Sequence, residues 1–457
     1  MAWQFLSLPR RHRSALACLA LLTAGLAPTA PAWALNLSEA YDAAHANDAT
    51  VRAARAGAQA TRERLPQARA QRLPNISASA TRNYNDLTST TQRPMGLPPA
   101  RDENQYYSGS KTLSVRQPLY RPYLGALVRQ AQAQVAGADA QLENDEQALA
   151  IRVGETYFDA LLAREQRALI AAQKTTYTTQ LDAAGKRLQA GSGTRTDIDE
   201  AQARLDLTLA EELEVQQNED FTRHRLESLT GQTIDSLAAL DVERFAAQAP
   251  VPASVQDWIE RAEHNSAELQ ALRAQLEVAR QEIEKAKSGH LPTLDAVAQW
   301  SRTSSDSVTS VNSRYDNKTI GLQLNVPLYA GGYVSSTVRE AVAAQERARE
   351  LLEAARRELA LRVHREFRGM TEGVLRIRAL EQAVRSGEQA VLSNRKSFEA
   401  GIRTTLDVLN AEQQKTLALR DLAQARYVYL VSRLRLQSLA GQDQRSNIAQ
   451  ANSALLP

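Results

Sequence analysis

The segment QPLYRPYLGALVRQ at residues 117–130 recurs as VPLYAGGYVSSTVR at residues 326–339. In both copies a short alternating stretch ends at Pro-Leu-Tyr, and a very long proline-free stretch follows. No proline lies between Pro122 and Pro250, and none lies between Pro327 and Pro457. Because proline breaks helix interiors, each Pro-Leu-Tyr marks the place where a strand ends and a long helical region begins.

The chain is internally repeated, with residues 36–232 matching residues 254–442. Each half has the order helix, strand, loop, strand, very long helix, turn, helix. A regularly spaced repeat of this kind is typical of a duplicated architecture. We therefore predict a first repeat at 35–232 and a second at 252–442. A linker at 233–251 separates them, and a polar C-terminal tail at 443–457 follows.

The helical parts differ in length in a regular way. A long helix of 68 residues would span about 100 Å, and each short helix about half of that, so two short helices end to end match one long helix. Helices of this length favour coiled-coil packing. Pro66 is expected to kink the first short helix. The short helices are predicted at 38–72, 196–230, 252–288 and 405–439, and the long ones at 121–188 and 333–399.

Residues 1–34 have the pattern of a secretory signal, with three arginines, an apolar run at 14–27 and a small-x-small cleavage site at 32–34. The alternative, a membrane anchor, is disfavoured because the run is too short. Those arginines account for the whole net charge of +3, so the mature chain has no general attraction for nucleic acid. The only cysteine, Cys18, lies in the signal, which excludes disulfides from the mature protein.

Two β-hairpins are predicted, at about 75–118 and 293–327, because apolar and polar residues alternate there with a period of two. Polar loops are expected at 84–108 and 302–316. After the signal no run of 18 apolar residues occurs, so a membrane-inserted form would need a closed β-barrel; a hairpin packed on a helix is the alternative. Aromatic residues near the strand ends suggest a membrane girdle: Tyr84, Tyr106, Tyr107, Tyr120, Trp300, Tyr315 and Tyr329.

Four strands cannot close a barrel, and open sheet edges are not tolerated in lipid. Several chains would therefore have to share one barrel, whose strand number the pattern itself leaves open.

Three motifs in this order resemble the TolC family of outer-membrane factors: GHLPTLD at 289–295, VPLYAGG at 326–332 and RTTLDVL at 403–409. The resemblance covers nearly the whole mature chain. It implies a mostly α homotrimer with a shared 12-stranded membrane β-barrel, continued by a long coiled-coil α-helical barrel through the periplasm. The linker and the tail would form an equatorial belt.

The same resemblance implies an exit duct in the outer membrane of a Gram-negative bacterium, extending into the periplasm. It would serve tripartite efflux pumps, type I protein secretion or both. Opening would follow docking of a periplasmic adaptor (membrane fusion) protein and an inner-membrane transporter of RND or ABC type. The other expected partners are outer-membrane lipid and two further copies of the chain.

A periplasmic gate is implied at the turns between each long helix and the following short one. By resemblance, Arg403 would bond Thr196 and Asp197 across adjacent coiled coils. Phe398 stands where the family often has a tyrosine that shares this restraint. Asp407 and Asn410 would line the constriction.

The family often has two rings of aspartate at this narrowest point. Asp407 matches the first, and Asn410 replaces the second, so one charged ring is missing. A simpler interpretation stays open, in which Asp197 and Asp407 are helix N-terminal charges and Thr196 or Thr404 are caps.

Two other classes of protein were considered. An enzyme is disfavoured because the six histidines have no metal-ligand spacing and no nucleophile or phosphate-loop motif occurs, so no catalytic, cofactor or metal residue is expected. A soluble periplasmic coiled-coil adaptor would share the helical hairpins but lack amphipathic strands with aromatic ends.

Overall fold

The computed structural model describes residues 34–94, 96–305 and 313–456. The predicted signal thus lies almost entirely outside the described residues. Within them, long helices dominate and a single sheet of four strands lies between helical segments of the chain. None of the described helices has both the length and the apolar composition needed to cross a bilayer.

Two long helical hairpins form the main body of the molecule. Each pairs a long helix with a helix of about half its length, and α4 also packs along α9 of the other hairpin. The 68 residues of α4 correspond to about 100 Å. The predicted bounds agree with these helices to within one residue: α4 Pro122–Gln189, α5 Arg195–Thr230, α8 Tyr333–Glu399 and α9 Thr405–Leu439.

The prediction of one short helix at 38–72 and one at 252–288 is wrong. At Asp48 and at Ser266 the backbone is extended, and each side chain accepts a hydrogen bond from the backbone N–H three residues later. Such N-caps start a new helix. A further break at Glu63 precedes Pro66, which fits within the first turn of a helix. The helices are α1 Leu37–Asn47, α2 Ala49–Arg62, α3 Arg64–Ala70, α6 Val255–Asn265 and α7 Ala267–Lys287.

The sheet is antiparallel in the order β1-β2-β3-β4, with β1 and β4 at its edges. Its strands are longer than predicted, so the loops expected at 84–108 and 302–316 are wrong in extent. The serine, threonine and asparagine residues suggested loops, but most of them alternate with other residues along the strands and lie on one face of the sheet. The strands are β1 Asn75–Thr91, β2 Ala100–Tyr120, β3 Thr293–Ser305 and β4 Ser313–Asn325.

The hydrophobic core lies where α4 crosses α9. A Cβ on Gly154 would lie 2.3 Å from a methyl carbon of Leu434, so a larger residue there would displace the Leu434 side chain. Large side chains fill the space around the crossing, and their burial supplies the main stabilisation of the helical body. The largest buried side chains of this core include Tyr157, Phe158, Leu149, Leu161, Tyr429 and Leu430.

The two ends of the described chain pack against residues 237–240 at the middle of the helical body, in a contact that we call the equatorial joint. Leu35 pairs with Leu237, and Leu240 pairs with Leu455. The hydroxyl of Tyr157 lies 2.9 Å from the carbonyl oxygen of Leu35 and 3.1 Å from that of Ala238. The C-terminal tail contains the helix α10 Gln444–Asn452, and one side of this helix packs into the core.

An ion pair fixes the sheet to the helices. Arg121 immediately precedes α4, and its Nε donates to Oδ1 of Asp295 in β3 at 2.7 Å, with a second bond between Nη2 and Oδ2. The carboxylate is buried. Removal of one partner of such a pair would leave the other charge uncompensated. The pair therefore fixes the start of α4, in the first half of the chain, to β3 in the second half.

Candidate functional site

The turns that end the two long helices have the same construction. Gly191 and Gly401 take positive φ values of 72° and 75°, which a residue without a side chain adopts readily. Thr194 and Thr404 then cap α5 and α9, each accepting from the backbone N–H three residues later. The turns lie at one end of the helical body, away from the sheet.

Asp197 and Asp407 complete capping boxes at these turns. Asp197 accepts from the backbone N–H of Thr194 at 3.1 Å, and Asp407 from that of Thr404 at 2.9 Å. The bonds from the backbone N–H and from the hydroxyl of Thr404 lower the pKa of Asp407. Burial opposes the shift at Asp197, but the bonds from Thr194 still lower its pKa. Both carboxylates therefore take part in helix capping, and Thr404 is the cap of α9 as the simpler interpretation allowed. Thr196 as a cap is wrong, because Thr194 caps α5 and Thr196 lies within the first turn of that helix.

Arg403 lies beside the aspartate of its own helix. Its Nη1 is 3.4 Å from Oδ1 of Asp407, and both groups are accessible. Within one chain it makes no bond to Asp197 or Thr196 among the described residues. The guanidinium of Arg403 is thus only weakly held at this turn, and it can still donate to another carboxylate.

Phe398 is in contact with an arginine from the other hairpin. The guanidinium carbon of Arg187, in the last turn of α4, lies 4.4 Å from the centre of the Phe398 ring. The charge of Arg187 also helps to lower the pKa of Asp197. A cation over an aromatic face is attracted by the ring, so this contact joins α4 to α8 without needing a hydroxyl.

Asn410 is bound by an arginine that the sequence analysis missed. Arg204 of α5 donates from Nη2 to Oδ1 of Asn410 at 2.8 Å and from Nη1 to Oε1 of Gln413 at 2.6 Å. Arg204 lies seven residues after Asp197, two helical turns along the same face, which is the signal that would have revealed it. A positive charge therefore lies beside Asn410, the position at which the family often has its second aspartate.

A buried carboxylate ties α8 to α9 just above this site. Glu412 is 3% exposed, accepts from Lys415 at 2.7 Å and is paired with Arg395 of α8. Two cations around one buried acid compensate its desolvation. Each hairpin is therefore firmly built, while the contacts between the hairpins at the tip are few and mostly polar.

The sheet has two chemically different faces. Cross-strand partners Ile76, Val115, Ala298 and Ile320 lie on one of them, which we call the apolar face. The polar face carries hydroxyl pairs such as Ser77 with Ser114, 2.7 Å apart. This is the arrangement in which one face meets lipid and the other meets water.

The register separates the predicted girdle residues. Tyr84 pairs with Tyr107, and both lie on the apolar face, as do Trp300 and Tyr120. Tyr106 and Tyr315 alternate with them and lie on the polar face. These two tyrosines therefore cannot share a girdle with the others. Tyr329 follows β4 and is exposed.

The family model described as outer membrane efflux protein matches residues 40–232 and 258–442. Alkaline protease secretion protein AprF of Pseudomonas aeruginosa is 35% identical over 90% of this chain and 85% of its own length. TolC of Escherichia coli K12 is 30% identical over 92% of this chain and 85% of its own length. Among solved structures, VceC of Vibrio cholerae superimposes with a TM-score of 0.74 at 20% identity, covering 89% of this chain and 96% of that one.

The fold and its relatives define an outer-membrane channel protein of the class that serves efflux and type I secretion. The chain belongs to the outer membrane efflux protein family. The interpretation as a soluble adaptor is not favoured, because these relatives are channels.

Proposed function

We propose that three copies of this chain form an exit duct that passes cargo across the periplasm and the outer membrane without catalysis. The observation that carries the proposal is the sheet, which has one apolar face and two free edge strands, β1 and β4. Joining β4 of one copy to β1 of the next would satisfy every edge, as a membrane barrel requires. Three copies give a barrel of 12 strands.

The helical hairpins would continue this barrel as an α-helical tunnel through the periplasm. The two long helices of each chain, with the shorter helices arranged end to end beside them, would supply a wall of uniform height. The equatorial belt, formed by 233–251 and the segment after 442, would surround its middle. Residues 1–34 would act as the export signal.

The cargo is proposed from the relatives. AprF is named for alkaline protease secretion, and PrtF of Dickeya chrysanthemi, 34% identical over 90% of this chain, for secretion of proteases. We therefore favour protein secretion with a transporter of ABC type and a periplasmic adaptor. Efflux with a transporter of RND type is the second candidate, supported by the family model described as outer membrane efflux protein.

The gate would lie at the two turns. Arg403 of one coiled coil would bond Asp197 and Thr196 of the adjacent copy and so hold the periplasmic end closed until the adaptor and transporter dock. The loose contact of Arg403 with Asp407 supports this, since the same guanidinium can bond a second carboxylate. Arg187 on Phe398 would supply the restraint within each chain that the missing tyrosine hydroxyl cannot. Asp407 and Asn410 would line the constriction.

The first prediction concerns assembly. The protein extracted from outer membranes in mild detergent should be a trimer, because a single four-stranded sheet leaves its edges unpaired. Light scattering with detergent correction measures the mass, and circular dichroism measures the β content. A stable monomer that keeps its full β content would contradict the proposal.

The second prediction concerns the contact between Arg187 and Phe398. Arg187→Gln removes a cation–π contact worth about 0.5–1 kcal/mol at an accessible site, so the frequency of opening in planar bilayers should rise about two- to fivefold. Lys186→Gln is the matched control, because Lys186 is the neighbouring cation and pairs only with Asp182 of its own helix. Equal effects of the two substitutions would assign the result to surface charge instead.

A further inference from the structure

A recess interrupts the apolar face of the sheet at Gly109. Gly109 pairs with Arg82 of β1 and with Ser304 of β3, and a Cβ there would lie 3.0 Å from the carbonyl oxygen of Thr81. With no side chain at this point, the neighbouring side chains enclose a shallow cavity of about 550 Å³. The sheet therefore offers a small pocket in a face that is otherwise covered by side chains.

Basic side chains surround this recess. The cavity is lined by Arg82, Lys111, Arg302 and Arg314, together with Tyr107. All of these residues belong to the apolar face, since Lys111 pairs with Ala80 and Arg302, and Arg314 pairs with Ser304. Four cations on one face of a sheet repel one another, so their grouping favours an anionic ligand.

The acidic residues of the same face leave most of this charge unbalanced. Asp316 accepts from Arg302 at 2.7 Å and from the indole of Trp300 at 2.8 Å. Farther towards the hairpin loop, Glu103 pairs with Arg101 at 3.0 Å. Asp86 also lies on this face, four residues beyond Arg82, and accepts from Nε2 of Gln105 at 3.3 Å. Among the described residues that line the recess itself, no carboxylate is present.

The position of the recess along the strands can be compared with the position of the apolar residues on the same face. From Leu294 to Trp300 the apolar face of β3 carries only apolar residues, over about 20 Å. Arg302 follows, and Ser304 lies level with Gly109, about 13 Å beyond Trp300. The helices leave the sheet at the opposite end, so the recess lies just beyond the apolar band on the side of the hairpin loops.

We propose that this recess binds a phosphate group of a lipid in the outer leaflet of the membrane. The inference rests on the proposed function, which places the apolar face against lipid and the hairpin loops outside the cell. At that height the recess lies among lipid headgroups. Guanidinium groups bond phosphate oxygens in pairs, and Tyr107, with Arg82 lying 5.2 Å from its ring centre, would cover the acyl side of the headgroup.

Bound lipid would anchor the barrel at a fixed depth. Each of the three copies offers one recess, and each recess combines residues of β1, β2, β3 and β4. A ligand that bridges all four strands would stabilise the sheet by mass action, because it binds only the folded form.

The polar face supplies a matched control. Arg116 is an accessible arginine of the same β2 strand, but it alternates with Val115 and so lies on the polar face. Loss of its charge changes the net charge of the sheet by the same amount as loss of Lys111. A specific site on the apolar face should respond to Lys111 and not to Arg116.

The test is a titration of the detergent-solubilised trimer with diphosphoryl lipid A, and with the same lipid after removal of both phosphates, followed by native mass spectrometry. The wild-type protein should bind the phosphorylated lipid at least about tenfold more tightly. Lys111→Gln should lower this ratio clearly, and Arg116→Gln, which removes the same charge from the polar face, should leave it unchanged.

Several results would overturn the proposal. They are equal binding of the two lipids by the wild-type trimer, equal loss with Arg116→Gln, and equally tight binding of a fatty acid, which is anionic but has no phosphate and would indicate general attraction to anionic lipid. The wild-type comparison needs no variant, so a folding defect in the Lys111→Gln protein cannot hide the answer. If instead the proposed function were wrong, the protein would be monomeric or absent from the outer-membrane fraction.

Discussion

Replacement of Asp407 by alanine is expected to weaken the block of this channel by trivalent cations about a hundredfold. In a trimer the three carboxylates would surround the axis at the narrow periplasmic mouth, and acidic rings of this kind favour cations. Charged constrictions concentrate counter-ions by about 10- to 1000-fold. Block by hexamminecobalt in planar bilayers, added from the periplasmic side, measures the change, and reversal potentials in a salt gradient should shift towards lower cation selectivity.

The pH dependence of the block follows from the hydrogen bonds that Asp407 accepts. They lower its pKa from the ordinary value of 3.8, so the carboxylate stays charged as the pH falls to that value and loses its charge only below it. Block should therefore persist in mildly acidic solution. Block that is unchanged in Asp407→Ala would remove Asp407 from the constriction and leave it with its capping role alone.

Arg204 changes what is expected of the neighbouring position. Asn410→Asp would place a carboxylate on the guanidinium of Arg204, which already donates to Asn410 at 2.8 Å. The new charge would be largely compensated, so this substitution alone should strengthen block only slightly. Asn410→Asp combined with Arg204→Gln should strengthen it clearly, and a large effect of Asn410→Asp alone would show that Arg204 is not held there.

Replacement of Arg403 by serine is expected to increase opening about fivefold at each interface between copies. An accessible ion pair contributes up to about 1 kcal/mol, and that free energy corresponds to about a fivefold change in an equilibrium. The effects at three interfaces would add in free energy. Single-channel recording measures the rise in conductance and open probability, while the thermal unfolding of the trimer should stay unchanged.

Arg195→Ser is the control for this experiment. Arg195 is the first residue of α5, and it pairs with Asp199 of its own helix at 3.2 Å, much as Arg403 pairs with Asp407. Arg195→Ser should therefore remove the same charge as Arg403→Ser without opening the channel. If a correctly assembled Arg403→Ser trimer conducts like the wild-type protein, the gate does not depend on Arg403.

The long helices could be predicted from the sequence because prolines mark their limits. Pro122 begins α4, and no proline follows until Pro250. The breaks at Asp48 and Ser266 escaped prediction, although both are capping residues placed 218 positions apart in the two halves. Aspartate and serine are also common on exposed helix faces, so composition alone does not reveal a cap.

The candidate site could be predicted only in part. Asp197 and Asp407 occupy equivalent positions in the two halves of the chain, so the repeat in the sequence predicts both of them. Arg204 has no counterpart in the other half, since position 414 is a glutamine. Its bond to Asn410 depends on how two hairpins approach each other, a property of tertiary packing that local periodicity does not contain.

The equatorial joint has a consequence for the order in which the chain folds. It brings Leu35 and Leu455 to either side of one short segment at residues 237–240, although they are the most distant parts of the described chain. Loop-closure entropy delays contacts between residues so far apart. The hairpins can form from local contacts, whereas the bridge between Leu240 and Leu455 joins residues 215 positions apart, so we expect this bridge to form after the hairpins.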